Sequence, residues 1–168
     1  MNNRTLVSTA GVALIAAAFA GTQIAAGATH PRAVHVSAQL NVTISPPPVC
    51  QAGICTINNS GTGRLAPFGR VTFTTAITAD GNQTPCGTGS QWVNRIIRTV
   101  HTSNGTLVLH EAGLQCPLPG IGPRVDAVWT VDGADSTGIF AGARGRGYDT
   151  AYPVQDTAAP RGTISLGR

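Results

Sequence analysis

The clearest pattern in this chain is a strict alternation of apolar and polar residues over 34–44. Apolar side chains occupy the even positions from Val34 to Ile44, and polar side chains occupy the odd positions between them. Successive side chains of a β-strand point to opposite faces, so this period of two predicts a strand with one buried face. The strand is predicted to end before Pro46-Pro47-Pro48, because proline has no amide hydrogen to donate to a sheet.

Related patterns, separated by turn residues, predict seven more strands. One alternates over 71–77 and ends at Asp80-Gly81, a weaker one lies near 54–57, and a short last strand lies at 163–166. The cluster of polar residues and glycines at 58–63 predicts a turn. No run of helical period follows residue 28. We therefore predict an all-β fold, an antiparallel barrel of about eight strands, with a β-sandwich as the alternative.

The dipeptide Asn104-Gly105 predicts a β-hairpin between two of these strands. Asn-Gly is favoured at the centre of two-residue turns because both residues tolerate positive φ. With this dipeptide at the centre of the turn, Arg98 lies opposite Glu111, the only glutamate in the chain. The hairpin therefore brings two opposite charges together.

Arg98 and Glu111 are the first candidates for a functional site. A buried ion pair is costly unless its groups are satisfied, so an inward pair would be expected to bind or act on a ligand. A slip of one residue would instead leave the pair on the outer surface. The face that carries both charges also carries large apolar residues, which predicts that it points inward: Trp92, Ile96, Val100, Leu107 and Leu109.

A second hairpin is predicted over 125–148. Its first strand alternates around Trp129, and 132–138 supplies turn residues. Glycines then punctuate the second strand, which is typical of a sharply bent or bulged strand. Trp129 and Phe140 are predicted core residues, and Trp129 is also a candidate ligand contact.

This hairpin resembles a segment of small secreted β-barrels of the allene oxide cyclase-like and dirigent-like group. In that group a tryptophan strand and a glycine turn precede Phe-Ala-Gly-Ala-x-Gly-x-Gly. In this chain residues 134–137 lengthen the compact glycine turn that is typical of the group, so the tip of the hairpin is longer and more polar. The resemblance implies a barrel fold, and the group includes cyclases and proteins that orient radical coupling, but no catalytic residue of the group maps onto this chain. The matching residues are Trp129, Thr130, Val131, Gly133, Gly138, Phe140, Ala141, Gly142, Ala143, Gly145 and Gly147.

Four cysteines predict two disulfides, because an even count in an exported chain is typical of an oxidising compartment. In the predicted register Cys116 lies opposite Val93, close to the loop that carries Cys86, which favours a Cys86–Cys116 bond. Cys50 and Cys55 then form a local pair. Zinc is disfavoured, because Cys-x4-Cys has no second matching pair and no nearby histidine. We predict no metal and no other cofactor.

The amino terminus predicts a secretory signal peptide over residues 1–28. Arg4 precedes an alanine-rich apolar run, and Ala26-Gly27-Ala28 fits a cleavage site. The run is shorter than the roughly 20 residues that span a bilayer, so no membrane span is predicted. Residues 29–168 are then a single secreted domain.

The composition argues against a nucleic-acid partner. All eleven basic residues are arginine, the formal net charge is only +4, and no basic cluster is interleaved with aromatic residues. A lysine-free chain rich in alanine and glycine is also typical of a GC-rich bacterial coding sequence.

Three hypotheses of function follow. The first is a secreted barrel that binds a small apolar or aromatic ligand without turnover, through Trp92, Arg98, Glu111 and Trp129, or that has a structural extracellular role. The second is an isomerase or cyclase-like enzyme that uses Arg98 and Glu111 to polarise a bound molecule. The third is a protease inhibitor that presents 116–119 as a rigid loop.

Overall fold

A computed structural model describes residues 32–44 and 46–167, so the predicted signal peptide lies outside the described residues. Within these ranges the chain is all-β, with short 3-10 turns at Gly138–Phe140 and Pro153–Gln155. The ten strands are β1 (Ala33–Ile44), β2 (Val49–Gln51), β3 (Ile54–Ala66), β4 (Gly69–Asp80), β5 (Gln91–Thr102), β6 (Gly105–Leu118), β7 (Gly122–Asp132), β8 (Arg144–Tyr152), β9 (Thr157–Ala158) and β10 (Arg161–Ser165).

Eight strands close into an antiparallel barrel. Around the wall the order is β1, β3, β4, β5, β6, β7, β8 and β10, and β10 pairs with β1 to close it. The short strand β9 pairs with both β1 and β8, so it completes the wall between them beside β10. β2 pairs with β3 as an outer hairpin. The barrel confirms the predicted fold class and excludes the sandwich.

Strand β3 corrects one prediction. The polar cluster at 58–63 is not a turn, because β3 runs through it from Ile54 to Ala66. A Cβ atom at Gly61 would collide with the backbone of Asn41 and the ring of Phe73. Glycine in this strand therefore makes room for a neighbouring side chain instead of reversing the chain.

One half of the barrel is filled by a packed apolar core, in which Trp129 is 2% exposed and Phe140 is fully buried. The Trp129 ring lies against Gly147 and Gly162, where added Cβ atoms would collide with it. These contacts confirm Trp129 and Phe140 as core residues. Phe140 lies in a 3-10 turn, not in the second strand, and it meets Phe68 edge to face at 4.9 Å between ring centroids.

The enlarged tip at 134–137 folds over the neighbouring hairpin. The Val108 amide donates to the hydroxyl of Ser136 (3.0 Å), and the Thr137 amide donates to the carbonyl of Thr106 (2.8 Å). The added residues therefore fasten β6 to the connection between β7 and β8. This end of the barrel is closed by the tip and the aromatic core.

Both predicted disulfides are present. Cys50–Cys55 joins β2 to β3, and Cys86–Cys116 joins the loop before β5 to the end of β6. Two disulfides in one small domain indicate an oxidising, extracellular environment. No helix within the described ranges is long and apolar enough to cross a membrane.

Candidate functional site

The β5–β6 hairpin has a register that differs from the predicted one by two residues. Ser103 and Asn104 form the turn, so Arg98 lies opposite Leu109, and Glu111 lies opposite Ile96. The prediction that Arg98 lies directly opposite Glu111 is wrong, but the two side chains still form a buried ion pair. Since side chains alternate with a period of two, a shift of two still leaves both charges on the inner face. They are diagonal neighbours, and the one-residue slip that would expose them does not occur.

A β-bulge at the start of β5 turns Trp92 outward. Val93 pairs with Gly113 of β6, and Ile96 pairs with Glu111. Two residues of β5 therefore lie between these pairs, where β6 has only one. An extra residue reverses the alternation beyond it. Trp92 is consequently 40% exposed and Val93 is buried. The predictions that Trp92 points inward and that Val93 lies opposite Cys116 are both wrong.

Arg98 is the centre of a buried charged triad inside the barrel. Its Nη2 donates to Oδ2 of Asp149 at 2.6 Å and to Oε2 of Glu111 at 3.3 Å. Its Nε lies 3.1 Å from Oε1 of Glu111. The side chains of all three residues are at most 5% exposed, and the guanidinium carbon lies 5.8 Å from the centroid of the Phe73 ring.

Burial raises the pKa of Glu111 to about 8, because desolvation penalises the carboxylate more than the Arg98 cation favours it. The neighbouring Asp149 acts in the same upward direction. For Arg98, burial lowers the pKa, but both carboxyl groups raise it, and the net direction is upward. Arg98 therefore stays charged, and Glu111 keeps its proton to a higher pH than an ordinary carboxyl group does.

We expect Glu111→Gln to remove part of the pH dependence of stability. With its pKa raised to about 8, Glu111 keeps a proton in the folded state that it has lost in the unfolded state. The free energy of unfolding of the natural protein should therefore fall as pH rises from about 4.5 to 8, by at most about 1.4 kcal/mol per pH unit. The glutamine variant lacks this loss.

Urea unfolding at pH 5, 6.5 and 8.5 measures this difference. The natural protein and Glu111→Gln should be similarly stable at pH 5, and the variant should be the more stable at pH 8.5. Every other titrating group is common to both proteins and cancels in the comparison. Two parallel stability curves would show that Glu111 titrates as an ordinary carboxyl group.

The half of the barrel opposite the aromatic core holds an open cup with a cavity of about 110 Å³. Apolar cavities of roughly 150 Å³ hold a benzene-sized molecule, so this smaller cup takes at most a compact molecule, part of which can extend into its open mouth. Eight polar residues contribute to its lining: Asn59, Thr75, Gln91, Arg98, Gln115, Asp149, Asp156 and Thr157. Its walls are mainly aliphatic, formed by Val42, Ile44, Ile57, Ile77, Ala79, Val93, Ile96, Val125, Ala151 and Pro153.

The structure brings together only part of the predicted ligand site. Arg98 lines the cup, whereas Glu111 contacts Arg98 without itself lining the cavity. Trp129 belongs to the packed half, and Trp92 lies outside the barrel. Neither predicted tryptophan lines the cup, and Phe73 is the one aromatic residue among the described lining residues.

Sequence reasoning missed Asp149, the closest partner of Arg98. In β8, Gly147 pairs with the inward Trp129, so the residue two positions later, Asp149, also faces inward. Asp149 is held by a second contact as well, because its Oδ1 accepts a hydrogen bond from the Ala159 amide at 3.1 Å. This contact fixes the carboxyl group beside Arg98.

Most of the segment proposed as an inhibitory loop belongs to a strand, and only Pro119 lies in a turn. Cys116, Pro117 and Leu118 belong to β6, where they pair with Arg124, Pro123 and Gly122 of β7. A binding loop of a protease inhibitor has to present its backbone freely, and this backbone is part of a sheet. No observation in the described ranges supports inhibition.

Comparisons with protein-family models, with curated proteins and with solved structures found no match to this chain. The geometry of the cup and the triad therefore carries the argument for function.

Proposed function

We propose that this protein is a secreted barrel that binds a small, mainly apolar molecule in its cup without converting it. The observation that carries this proposal is the open cavity of about 110 Å³, with aliphatic walls and Arg98 in its lining. Binding sites for small molecules are typically concave and apolar, with a few placed polar groups that orient the ligand. The two disulfides fit a protein that works in an oxidising environment.

The resemblance of the hairpin around Trp129 supports a relationship to allene oxide cyclase-like and dirigent-like barrels. The closed eight-strand barrel fits this relationship. It remains our proposal, and it rests on the segment 129–147 and on the fold.

Binding is favoured over an isomerase or cyclase-like activity because of where the carboxyl groups lie. A catalytic acid or base has to come within hydrogen-bonding distance of the reacting atoms. Glu111 contacts Arg98 but does not line the cavity, so a molecule in the cup meets Arg98 and Asp149 instead. The triad is thus better placed to orient a bound group than to exchange protons through Glu111.

Native mass spectrometry and thermal shift with a set of short aliphatic and aromatic alcohols, ketones and acids test the proposal. A ligand at about 100 times its Kd should add about 2.7 kcal/mol to the free energy of unfolding. Ala151→Phe should weaken binding at least tenfold, because Ala151 lines the cup.

Thr150→Phe is the matched control, because Thr150 lies next in the strand and borders the outer surface beside Asp126. It should bind the same molecules as the natural protein. Binding that survives Ala151→Phe would place the ligand elsewhere, and a natural protein that binds no member of the set would refute the proposed function.

A further inference from the structure

The polar atoms in the cup narrow the class of ligand. Resting on the binding function proposed above, we infer that the ligand is a compact neutral aliphatic alcohol whose hydroxyl group accepts a hydrogen bond from Arg98 and donates one to Asn59. The aliphatic body of the ligand would then lie against the walls of the cup.

Three buried polar atoms lie side by side on the inner face of the barrel. Asn59 pairs with Thr75 across β3 and β4, and Thr75 pairs with Arg98 across β4 and β5. Asn59 Oδ1, Thr75 Oγ1 and Arg98 Nη1 are each shielded from solvent, and no protein group in the described ranges forms a hydrogen bond with them. All three residues line the cup.

Such atoms are costly to leave unsatisfied, at about 1–3 kcal/mol for each buried group. Their chemistry is complementary to a hydroxyl group. Arg98 Nη1 is a pure donor, Asn59 Oδ1 is an acceptor, and the Thr75 hydroxyl can play either part. A ligand hydroxyl group can accept hydrogen bonds from Arg98 and Thr75 through its two lone pairs and donate one to Asn59, whereas a ketone or an ether could only accept.

The charge of the triad favours a neutral ligand over a carboxylate. Arg98 already has Asp149 at 2.6 Å and Glu111 at 3.1 Å. Two carboxyl groups therefore share one cation, and a third carboxyl group would add an uncompensated negative charge to a buried site. A hydroxyl oxygen accepts from Nη1 without adding charge.

The lining also indicates an aliphatic body. Ile77, Val93 and Ile96 are typical of the wall, and Phe73 is the one aromatic side chain among the described lining residues. Few ring faces are therefore available for aromatic stacking. A cavity of about 110 Å³ favours a compact body over a long chain.

Protein-observed NMR titrations at pH 7 with cyclohexanol, cyclohexane and cyclohexanecarboxylate test this inference, because the three probes share one ring. Cyclohexanol should bind roughly tenfold or more tightly than each of the other two probes. Its hydroxyl group forms hydrogen bonds to the charged Arg98 and to a neighbouring side chain, and bonds of this kind account for an effect of that size. Thr75→Val should reduce the affinity for cyclohexanol roughly three- to tenfold and leave that for cyclohexane unchanged. Thr74→Val, on the exposed face of β4, should change neither.

The outcomes separate the inference from the proposed function. Equal binding of cyclohexane and cyclohexanol in the cup would overturn the hydroxyl ligand and leave the binding function standing. Tightest binding of the carboxylate would overturn the neutral ligand. If no probe perturbs residues of the cup, both proposals fail. The ratios of the affinities of the natural protein for the three probes test the inference even if Thr75→Val does not fold.

Discussion

Replacing Arg98 with methionine should lower the free energy of unfolding by about 3–5 kcal/mol, which is the usual cost of removing one partner from a buried ion pair. Methionine has a similar length and is apolar, so it leaves little empty volume. It leaves Asp149 and Glu111 buried together without the cation that each now contacts. Urea unfolding at pH 7 measures the loss.

Arg95→Met is the matched control for Arg98→Met. Arg95 lies on the same strand and is exposed on the outer face, so its replacement should change stability by no more than about 0.5 kcal/mol. Adding Glu111→Gln and Asp149→Asn to Arg98→Met should restore much of the loss, because neutral amides then replace the two carboxyl groups that lost their cation. Equal stability of Arg98→Met and Arg95→Met would mean that water, not Arg98, balances the carboxyl groups.

Removing the Cys86–Cys116 disulfide should destabilise the protein more than removing the Cys50–Cys55 disulfide. The two bonds span sequence separations of 30 and 5 residues. The entropy that a bond removes from the unfolded chain grows with loop length, which gives roughly 4 kcal/mol for the longer loop and roughly 2 kcal/mol for the shorter one. The longer loop also contains the β5–β6 hairpin that carries Arg98.

The two double serine variants, Cys86→Ser/Cys116→Ser and Cys50→Ser/Cys55→Ser, measure this difference in urea unfolding under oxidising conditions. Each variant serves as the control for the other, because both lose one disulfide and gain two hydroxyl groups. A larger loss from Cys50→Ser/Cys55→Ser would contradict the entropic explanation.

The inner face of the β5–β6 hairpin could be predicted from sequence, although its register could not. The apolar alternation assigns Arg98 and Glu111 to one face, and a slip of two residues leaves that assignment intact. The turn dipeptide was a weaker guide, because Gly105 takes a positive φ of 135° as the first residue of β6 and not as a central turn residue. The bulge that exposes Trp92 could not be predicted, because a bulge is a mismatch between two paired strands and is not visible in the residue pattern of one strand.

The site could be predicted less well than the fold, because it is made by residues that are distant in the sequence. Asp149 lies in a glycine-rich strand, where few side chains mark the inner face. The glycines that follow Asn59 predict a turn, but Gly61 and Gly63 instead leave room for the side chains of Phe73 and Leu40. The position of the cup depends on which half of the barrel the aromatic core fills, and the sequence pattern does not contain that information.

The cup is proposed to hold a neutral molecule whose oxygen faces Arg98. NMR of arginine side-chain nitrogens tests it most directly, because the buried, ion-paired Arg98 should exchange its protons more slowly than the exposed Arg95. Cyclohexanol should shift the Arg98 signals at concentrations that leave those of Arg95 unchanged. Unchanged Arg98 signals at a concentration of cyclohexanol that saturates binding would contradict the claim.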